Sequence, residues 1–224
     1  MDTNALAEHL SITPLFAALP PHERVALAGR MRPRRFARDE VIFHRDDPAA
    51  HLFVIVAGTV KISLPDENGR EVVVGIQRGG DIFGDLALFD DAPRSATVTA
   101  ITETEVLTLG RQDFLAALER YPAAMREMLA HLARTVRRSS GRVEDLVFLD
   151  LGGRVAKCLL DISELSGGKR QLDMTQEDLA AFVGATRVSV NRALADLEKR
   201  NAIRIGRRHI EILDPAALQK DIRY

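Results

Sequence analysis

PAAMREMLAHLARTVRRSSGRVEDLVF, Pro122 to Phe148, is the stretch from which the rest of the chain can be placed. Met125, Leu129, Leu132, Val136, Ser139, Val143 and Leu146 recur in it at alternating steps of four and three, the a/d seam of a two-stranded coiled coil. One long helix with such a seam predicts a homodimer. Ser139 interrupts the stripe, and Ser140 beside it puts two hydroxyls at one level of the helix. A hydroxyl on a seam costs packing, so two readings stand: a polar group lies against the seam there, or the serine marks a solvated kink or sets the register.

The chain differs in kind on the two sides of this helix. Upstream, residues 4–30 alternate helical patches with Thr13-Pro14 and Pro20-Pro21, which predicts two short helices. From Arg35 onward come short β-branched or apolar runs: Val41–Phe43, Leu52–Val56, Val60–Leu64, Val72–Ile76, Ala96–Ala100 and Val106–Leu109. Asp46-Asp47-Pro48, Ala57-Gly58, Pro65 to Gly69 and Gly79-Gly80-Asp81 separate them. Strands at that spacing with Gly and Asx turns predict a rolled antiparallel sheet of the jelly-roll kind, and such a roll encloses a pocket. The whole chain is therefore α+β, with residues 1–121 as the roll, 122–150 as helix and hinge, and 151–224 as a smaller domain.

One loop departs from the strand pattern. It runs Gly80-Asp81-Ile82-Phe83-Gly84-Asp85-Leu86-Ala87-Leu88-Phe89 and continues through Asp90-Asp91-Ala92-Pro93 to Arg94-Ser95-Ala96. Gly84 permits positive φ or a close backbone approach, and Leu86 to Phe89 reads as a helical turn. Arg94 and Ser95 supply a planar fork of donors, a hydroxyl and an amide, which is what a bound phosphate asks for, and Asp85 offers an acceptor to sugar hydroxyls. Read singly, Arg94 has a plainer explanation, a surface pair with Asp90 or Asp91.

Taken together, Gly80-Asp81, Gly84-Asp85-Leu86 and Arg94-Ser95-Ala96 resemble the phosphate-binding cassette of the cyclic AMP receptor and fumarate-nitrate regulator family of bacterial transcription factors. The resemblance spans nearly the whole chain, including the long helix and a hinge at Phe148-Leu149-Asp150. It implies that Arg94 and Ser95 hold a cyclic phosphate, that Gly84 and Asp85 hold the ribose, that Ser139 and Ser140 meet the base, and that Leu86 and Ala96 belong to the same ligand-binding set. In that light the seam interruption is a ligand contact. Asp85 stands where cyclic-AMP-responsive members usually carry Glu, and Ser139 where Thr is usual; both changes keep the hydrogen-bonding group on a shorter or trimmed carrier. The effector implied is a cyclic nucleotide, cyclic AMP first.

Beyond Asp150, Gly152-Gly153 reads as punctuation and Arg154–Leu165 as a helix with Val155, Cys158, Leu159 and Ile162 on one face. Ser166–Leu172 reads as a loop. Thr175 is the expected N-cap of the next helix, with Asp178 at the capping-box position. Leu179, Ala180 and Val183 then lead to the turn Gly184-Ala185-Thr186 and a second helix, Arg187–Lys199. Helix, glycine turn, helix is the helix-turn-helix pattern, whose second helix enters the major groove of double-stranded DNA by its N-terminal end. Arg187, Val188, Asn191 and Arg192 are the expected base readers, and Thr186 and Ser189 the expected phosphate contacts. Many members of the family carry Arg-Glu where this chain has Arg187-Val188, so an altered preference at one base is expected. Ile203-Arg204-Ile205 and Ile210-Glu211-Ile212 flank a basic tip containing Arg207 and Arg208, the wing of a winged helix, with both arginines expected on phosphates. Asp214–Tyr224 reads as a short terminal helix.

Charge supports this division. Net charge is −1 over 224 residues, yet residues 1–150 hold 18 basic and 22 acidic side chains against 13 and 10 in 151–224. From Gly184 to Arg208 seven Lys and Arg face two acids, which suits a polyanion. One cysteine, Cys158, excludes an intrachain disulfide and a cysteine-ligated cluster, and fits a reducing compartment. Histidines 9, 22, 44, 51, 131 and 209 form no ligand pattern, so no metal, no cofactor and no catalytic residue is expected. A buried or surface histidine is the reading of each. No apolar run approaches a membrane span, and the protein is expected in the cytoplasm with RNA polymerase as a further partner. Two other readings are set against this one: a regulator of the same architecture that needs no ligand, and a cupin-like metal enzyme built on the roll, for which His44 and His51 are too sparse.

Overall fold

Thr13-Pro14 and Pro20-Pro21 cut the N-terminal segment into three helices rather than two: α1 (Thr3–Leu10), α2 (Pro14–Ala17) and α3 (Pro21–Ala28). Pro14 and Pro21 each open a helix, where a missing amide costs nothing. The computed structural model describes residues 3–67 and 71–223, so Asn68 and Gly69 of the expected Pro65–Gly69 turn, and Tyr224 of the expected terminal helix, lie outside the described residues. The chain divides into two units, residues 1–65 with 74–136, and residues 66–73 with 137–224.

Among the described residues eight strands form two antiparallel sheets. They are β1 (Arg32–Phe36), β2 (Val41–Phe43), β3 (His51–Ala57), β4 (Thr59–Pro65), β5 (Glu71–Arg78), β6 (Ile82–Phe83), β7 (Thr97–Ala100) and β8 (Thr104–Gly110), in orders β1-β8-β3-β6 and β2-β7-β4-β5. Leu52 faces Leu109 and Val54 faces Leu107 across β3 and β8. Successive side chains of these two strands point to opposite faces, and both faces are covered, which is why they read as unbroken apolar runs. Phe53, Ile55 and Val106 join Val60, Phe83 and Val98 inside the roll. Leu52, Val54, Leu107 and Leu109 instead pack under the helices, against Leu10, Phe16, Leu27, Phe114 and Met128. Each such buried side chain contributes about 1.5–3 kcal/mol.

Several elements have no counterpart among the sequence expectations, β6 among them, which lies in the stretch read as a loop; two matter most for the roll. β1, Arg-Pro-Arg-Arg-Phe, carries no apolar alternation; it is an edge strand bonded only to β8, where a proline and exposed arginines are tolerated. The second is α5 (Arg111–Arg120), whose Phe114, Ala117 and Leu118 are buried. The expected helical turn after Gly84 is α4 (Ala87–Asp90).

The long helix, α6, runs Pro122–Phe148 as read from the sequence, passing from the first unit into the second after Val136. Leu129, Val136, Val143 and Leu146 of the seam are 55–64% exposed on the single chain. Met125 and Leu132 pack partly against the core of the first unit.

The second unit is built from α7 (Leu151–Leu165), α8 (Gln176–Val183), α9 (Arg187–Lys199), α10 (Pro215–Asp221) and a three-stranded sheet, β10-β11-β9, of β9 (Gln171–Leu172), β10 (Ile203–Gly206) and β11 (His209–Ile212). Gly152 and Gly153 do not interrupt the chain: they lie in the first turn of α7, where the Asp150 carboxylate caps the helix by accepting from the Gly153 amide at 2.7 Å. The region read as a loop, Ser166–Leu172, ends in β9, which pairs with β11. Cys158 packs against the core formed by Val155, Leu159, Leu179, Val190, Leu194 and Ile210. Burial, helped by Asp161 and opposed by Arg142, pushes its thiol up to about 12. At the far end, Arg200 grips Asp221 through two bonds of 2.9 and 2.6 Å, and a Cβ at Gly153 would stand 2.9 Å from the Asp221 carbonyl oxygen.

Candidate ligand pocket and nucleic-acid interface

The cassette is organised by Arg94. Only 4% of it is exposed, so it is no surface partner of Asp90 or Asp91. Asp91 instead pairs with Arg111, whose Nε donates to the Leu88 carbonyl at 2.9 Å and so ties α4 to the start of α5. Arg94 donates from Nη1 to the Gly84 carbonyl at 2.6 Å and from Nη2 to the His51 carbonyl at 2.9 Å. Its guanidinium lies 4.3 Å from the centre of the Phe43 ring and 5.5 Å from that of Phe53, and Phe53 stacks on Phe83 at 4.9 Å. Backbone bonds between Arg94 and the Asp46-Asp47 turn, both 2.9 Å, hold the segment in place. Nε of Arg94 is buried without a hydrogen-bond partner. Burial lowers the proton affinity of this guanidinium, with Asp85 and then Asp47 opposing. An arginine remains charged even so.

Gly84 has φ +75°, and a Cβ there would lie 2.6 Å from Nη1 of Arg94, so both reasons for a glycine apply at once. Asp85 is 6% exposed, and its Oδ2 has no hydrogen bond. Burial raises the proton affinity of its carboxyl; His131 opposes that most strongly, followed by the Asp85 amide, Arg94 and the Leu86 amide. The His131 imidazole, on α6, places Nε2 3.5 Å from Oδ2. Leu86 and Ser95 are exposed and Ala96 is buried. Ser139 and Ser140 lie on the part of α6 that belongs to the second unit, both exposed on the single chain.

The helix-turn-helix follows from its caps. Thr175 and Asp178 form the capping box of α8, and Gly184 closes that helix at φ +66°, a left-handed conformation that turns the chain toward α9. Thr186 caps α9 by accepting from the Ser189 amide at 3.3 Å, and the two hydroxyls lie 2.9 Å apart. Val190, Leu194 and Leu197 bury one face of α9. That leaves Arg187, Val188 and Arg192 exposed on another, with Val188 64% exposed. Arg187 also lies 3.9 Å from a carboxylate oxygen of Glu177. Asn191 is half-buried, and its Oδ1 has no hydrogen-bond partner. Arg207 and Arg208 form the exposed tip between β10 and β11, Arg208 at φ +68°. An exposed, N-terminally capped helix with two arginines, beside a basic hairpin tip, is suited to a duplex groove and its phosphates.

Comparison with known proteins identifies the domains that carry these residues. Residues 33–121 match the cyclic nucleotide-binding domain, and residues 153–221 the Crp-like helix-turn-helix domain. A Mycobacterium tuberculosis protein named as a CRP-like cAMP-activated global transcriptional regulator is 34% identical over 222 residues, covering 96% of this chain and 99% of its own. The chain belongs to the Crp/Fnr family. The cyclic AMP receptor protein of Thermus thermophilus is 29% identical over 93% of this chain and 96% of its own. In fold, a Crp/Fnr-family regulator from Eubacterium rectale superposes with a TM-score of 0.83 over 96% of this chain and all of its own, at 17% identity.

Crp/Fnr proteins are transcription regulators, a class without enzymatic activity, and this member carries the family's ligand-binding and DNA-binding domains. Among the described residues no helix is long and apolar enough to cross a membrane, and no three His, Cys, Asp or Glu side chains are grouped to hold a metal. Three features of the cassette escaped sequence reading. Phe43, Phe53 and Phe83 sit on three strands and meet only in the fold; Arg111 lies 17 residues past Arg94; His131 looked like one more isolated histidine. Its position on the helix that also bears the seam was the single clue.

Proposed function

We propose that this Crp/Fnr protein acts as a homodimer on double-stranded DNA, and that a cyclic nucleotide, cyclic AMP first, sets its affinity for a near-palindromic operator. The observation that carries this is a pair of buried, opposite charges with spare bonding capacity in one cassette, Nε of Arg94 and Oδ2 of Asp85. Buried polar groups without partners are costly and are retained where a ligand uses them. Arg94, Ser95 and the amide of Ala96 would take the cyclic phosphate, and Gly84, Asp85 and Leu86 the ribose. The relatives in M. tuberculosis and T. thermophilus are named for cyclic AMP, which ranks that nucleotide first.

The exposed seam of α6 supports pairing, because Leu129, Val136, Val143 and Leu146 leave an apolar stripe in water on a single chain. Ser139 and Ser140 on that stripe would meet the base, one hydroxyl from each subunit. Ligand at the seam then favours one arrangement of the hinges at Phe148 to Asp150, and so one spacing of the two α9 helices, with half-sites roughly 34 Å apart. Arg187, Val188, Asn191 and Arg192 read bases; Thr186, Ser189, Arg207 and Arg208 hold phosphates. The work is done in the cytoplasm, beside RNA polymerase.

The test is calorimetric titration with cyclic AMP, cyclic GMP and cyclic di-GMP. One of them is expected to bind saturably, and Arg94→Ala to weaken it about 100-fold, since removing one partner of a buried charge pair costs roughly 2–5 kcal/mol. If none binds at millimolar concentration while DNA binding persists, the protein is a ligand-independent regulator.

A further inference from the structure

Asp85 and His131 make an unusual contact within the first unit. Nε2 of the imidazole stands 3.5 Å from Oδ2 of the carboxylate, with the side chains only 18% and 9% exposed. That oxygen has no hydrogen bond, so it relies on charge rather than on a donor. We propose that His131 is a positioning residue for the Asp85 carboxylate, and that the pair makes nucleotide binding proton-linked, tightest when the imidazole is charged. This rests on the cyclic-nucleotide reading above.

Charged groups face the carboxylate from two elements. Arg94 faces Asp85 from the end of the cassette and is itself also attracted to Asp47. From α6 the facing group is His131, with Glu127 one turn before it and Arg134 and Thr135 one turn after. A cyclic phosphate gripped by Arg94 takes up that cation, which then offsets Asp85 less. Of these described groups, His131 is the one left to compensate a carboxylate that burial already drives toward its neutral form. With a neutral imidazole, the Asp85 carboxylate and the phosphate held by Arg94 are two anions sharing one cation instead of two, which disfavours the bound nucleotide.

Binding of nucleotide should thus raise the proton affinity of His131, and by reciprocity a proton on His131 should raise the affinity for nucleotide. Free imidazole titrates near 6.5, so the effect falls between about pH 6 and pH 8. Its sign is fixed: affinity declines as pH rises through that window, and proton uptake accompanies binding.

Cyclic AMP is titrated calorimetrically into the native chain at pH 6, 7 and 8, in two buffers of different ionisation heat, and into His131→Gln. The native Kd is expected to weaken about tenfold from pH 6 to pH 8, equivalent to about 1.4 kcal/mol, with net proton uptake. His131→Gln should bind with a pH-independent Kd near the native value at pH 8 and take up no proton. In parallel, the His131 ring is followed by NMR without nucleotide, and its titration midpoint should fall in Asp85→Asn. Native binding that is flat across the range, a His131→Gln variant that keeps the slope, or a midpoint unmoved by Asp85→Asn would each overturn the proposal alone. Failure of cyclic AMP to bind at every pH would instead remove the nucleotide reading, and this inference with it.

Discussion

Replacing Gly84 by alanine tests whether the cassette is as tightly built as its geometry implies. The residue holds φ +75°, a backbone that costs an L-residue roughly 1–2 kcal/mol. The new methyl would also lie 2.6 Å from Nη1 of Arg94 and 3.3 Å from Cδ2 of Phe53. Phe53 is 6% exposed and Arg94 4%, so neither has free space to retreat into. Moving the guanidinium surrenders its 2.6 Å bond to the Gly84 carbonyl, a charged hydrogen bond of about 1.5–3 kcal/mol, and disturbs its stacking on Phe43. Returning a buried charge toward water recovers part of that loss. The net expectation is about 3 kcal/mol, or roughly 10 °C in Tm for a unit of this size. Scanning calorimetry should show the transition of the roll displaced and that of the DNA-binding unit unmoved, with nucleotide affinity falling in step. Gly141→Ala is the control, because nothing lies within 4 Å of a Cβ there and the site is helical. It should gain about 0.5–1 kcal/mol. A Gly84→Ala protein that melts within about 2 °C of the native one and binds nucleotide normally would refute the packing argument.

Val136→Asp puts a charge on the exposed seam. It should leave each chain folded but lower the mass found by sedimentation from two chains to one; an unchanged dimer would contradict the role given to the stripe. Arg192→Ala should narrow the gap between operator and random duplex by about 1–3 kcal/mol, whereas Arg207→Ala should weaken both alike and reduce the salt slope by about one. Equal effects from both would dissolve the division between base reading and phosphate contact. Cys158, with its thiol at about 12, should resist alkylation at pH 8 until denaturant is added. Its proton also stabilises the fold: the unfolded thiol ionises from about 9 and the folded one only near 12, so stability should decline as pH rises through that interval. Rapid labelling of the native protein at pH 8 would show the site to be open.

What the chain discloses in one dimension follows from how each element is stabilised. α6 was legible to its end residues because its stripe repeats over seven positions, and α8 and α9 because caps and a left-handed glycine are local chemistry. β3 and β8 stood out as apolar runs because both faces are buried. β1 was invisible: its existence depends on the free edge of β8, a partner more than about 70 residues away, and its own residues carry no pattern. Gly84, Asp85 and Arg94-Ser95 stood out in the sequence as a departure from the strand pattern that resembles a family's cassette, yet burial of Arg94 under Phe43, and the approach of His131 to Asp85, arise only when distant segments meet. Gly152-Gly153 misled because glycine pairs usually break helices; here the Asp150 cap supplies what the glycines lack.

That same glycine pair offers a route by which operator choice can drift. The missing side chain at Gly153 lets the carbonyl of Asp221 come within one methyl's width of α7, while the carboxylate of Asp221 clasps Arg200 just past the end of α9. Three helices are thereby pinned at one corner of the reading head. A methyl at 153 would lever the last helix outward and drag the tail of α9 with it, tilting that helix without altering any of the side chains proposed to meet DNA.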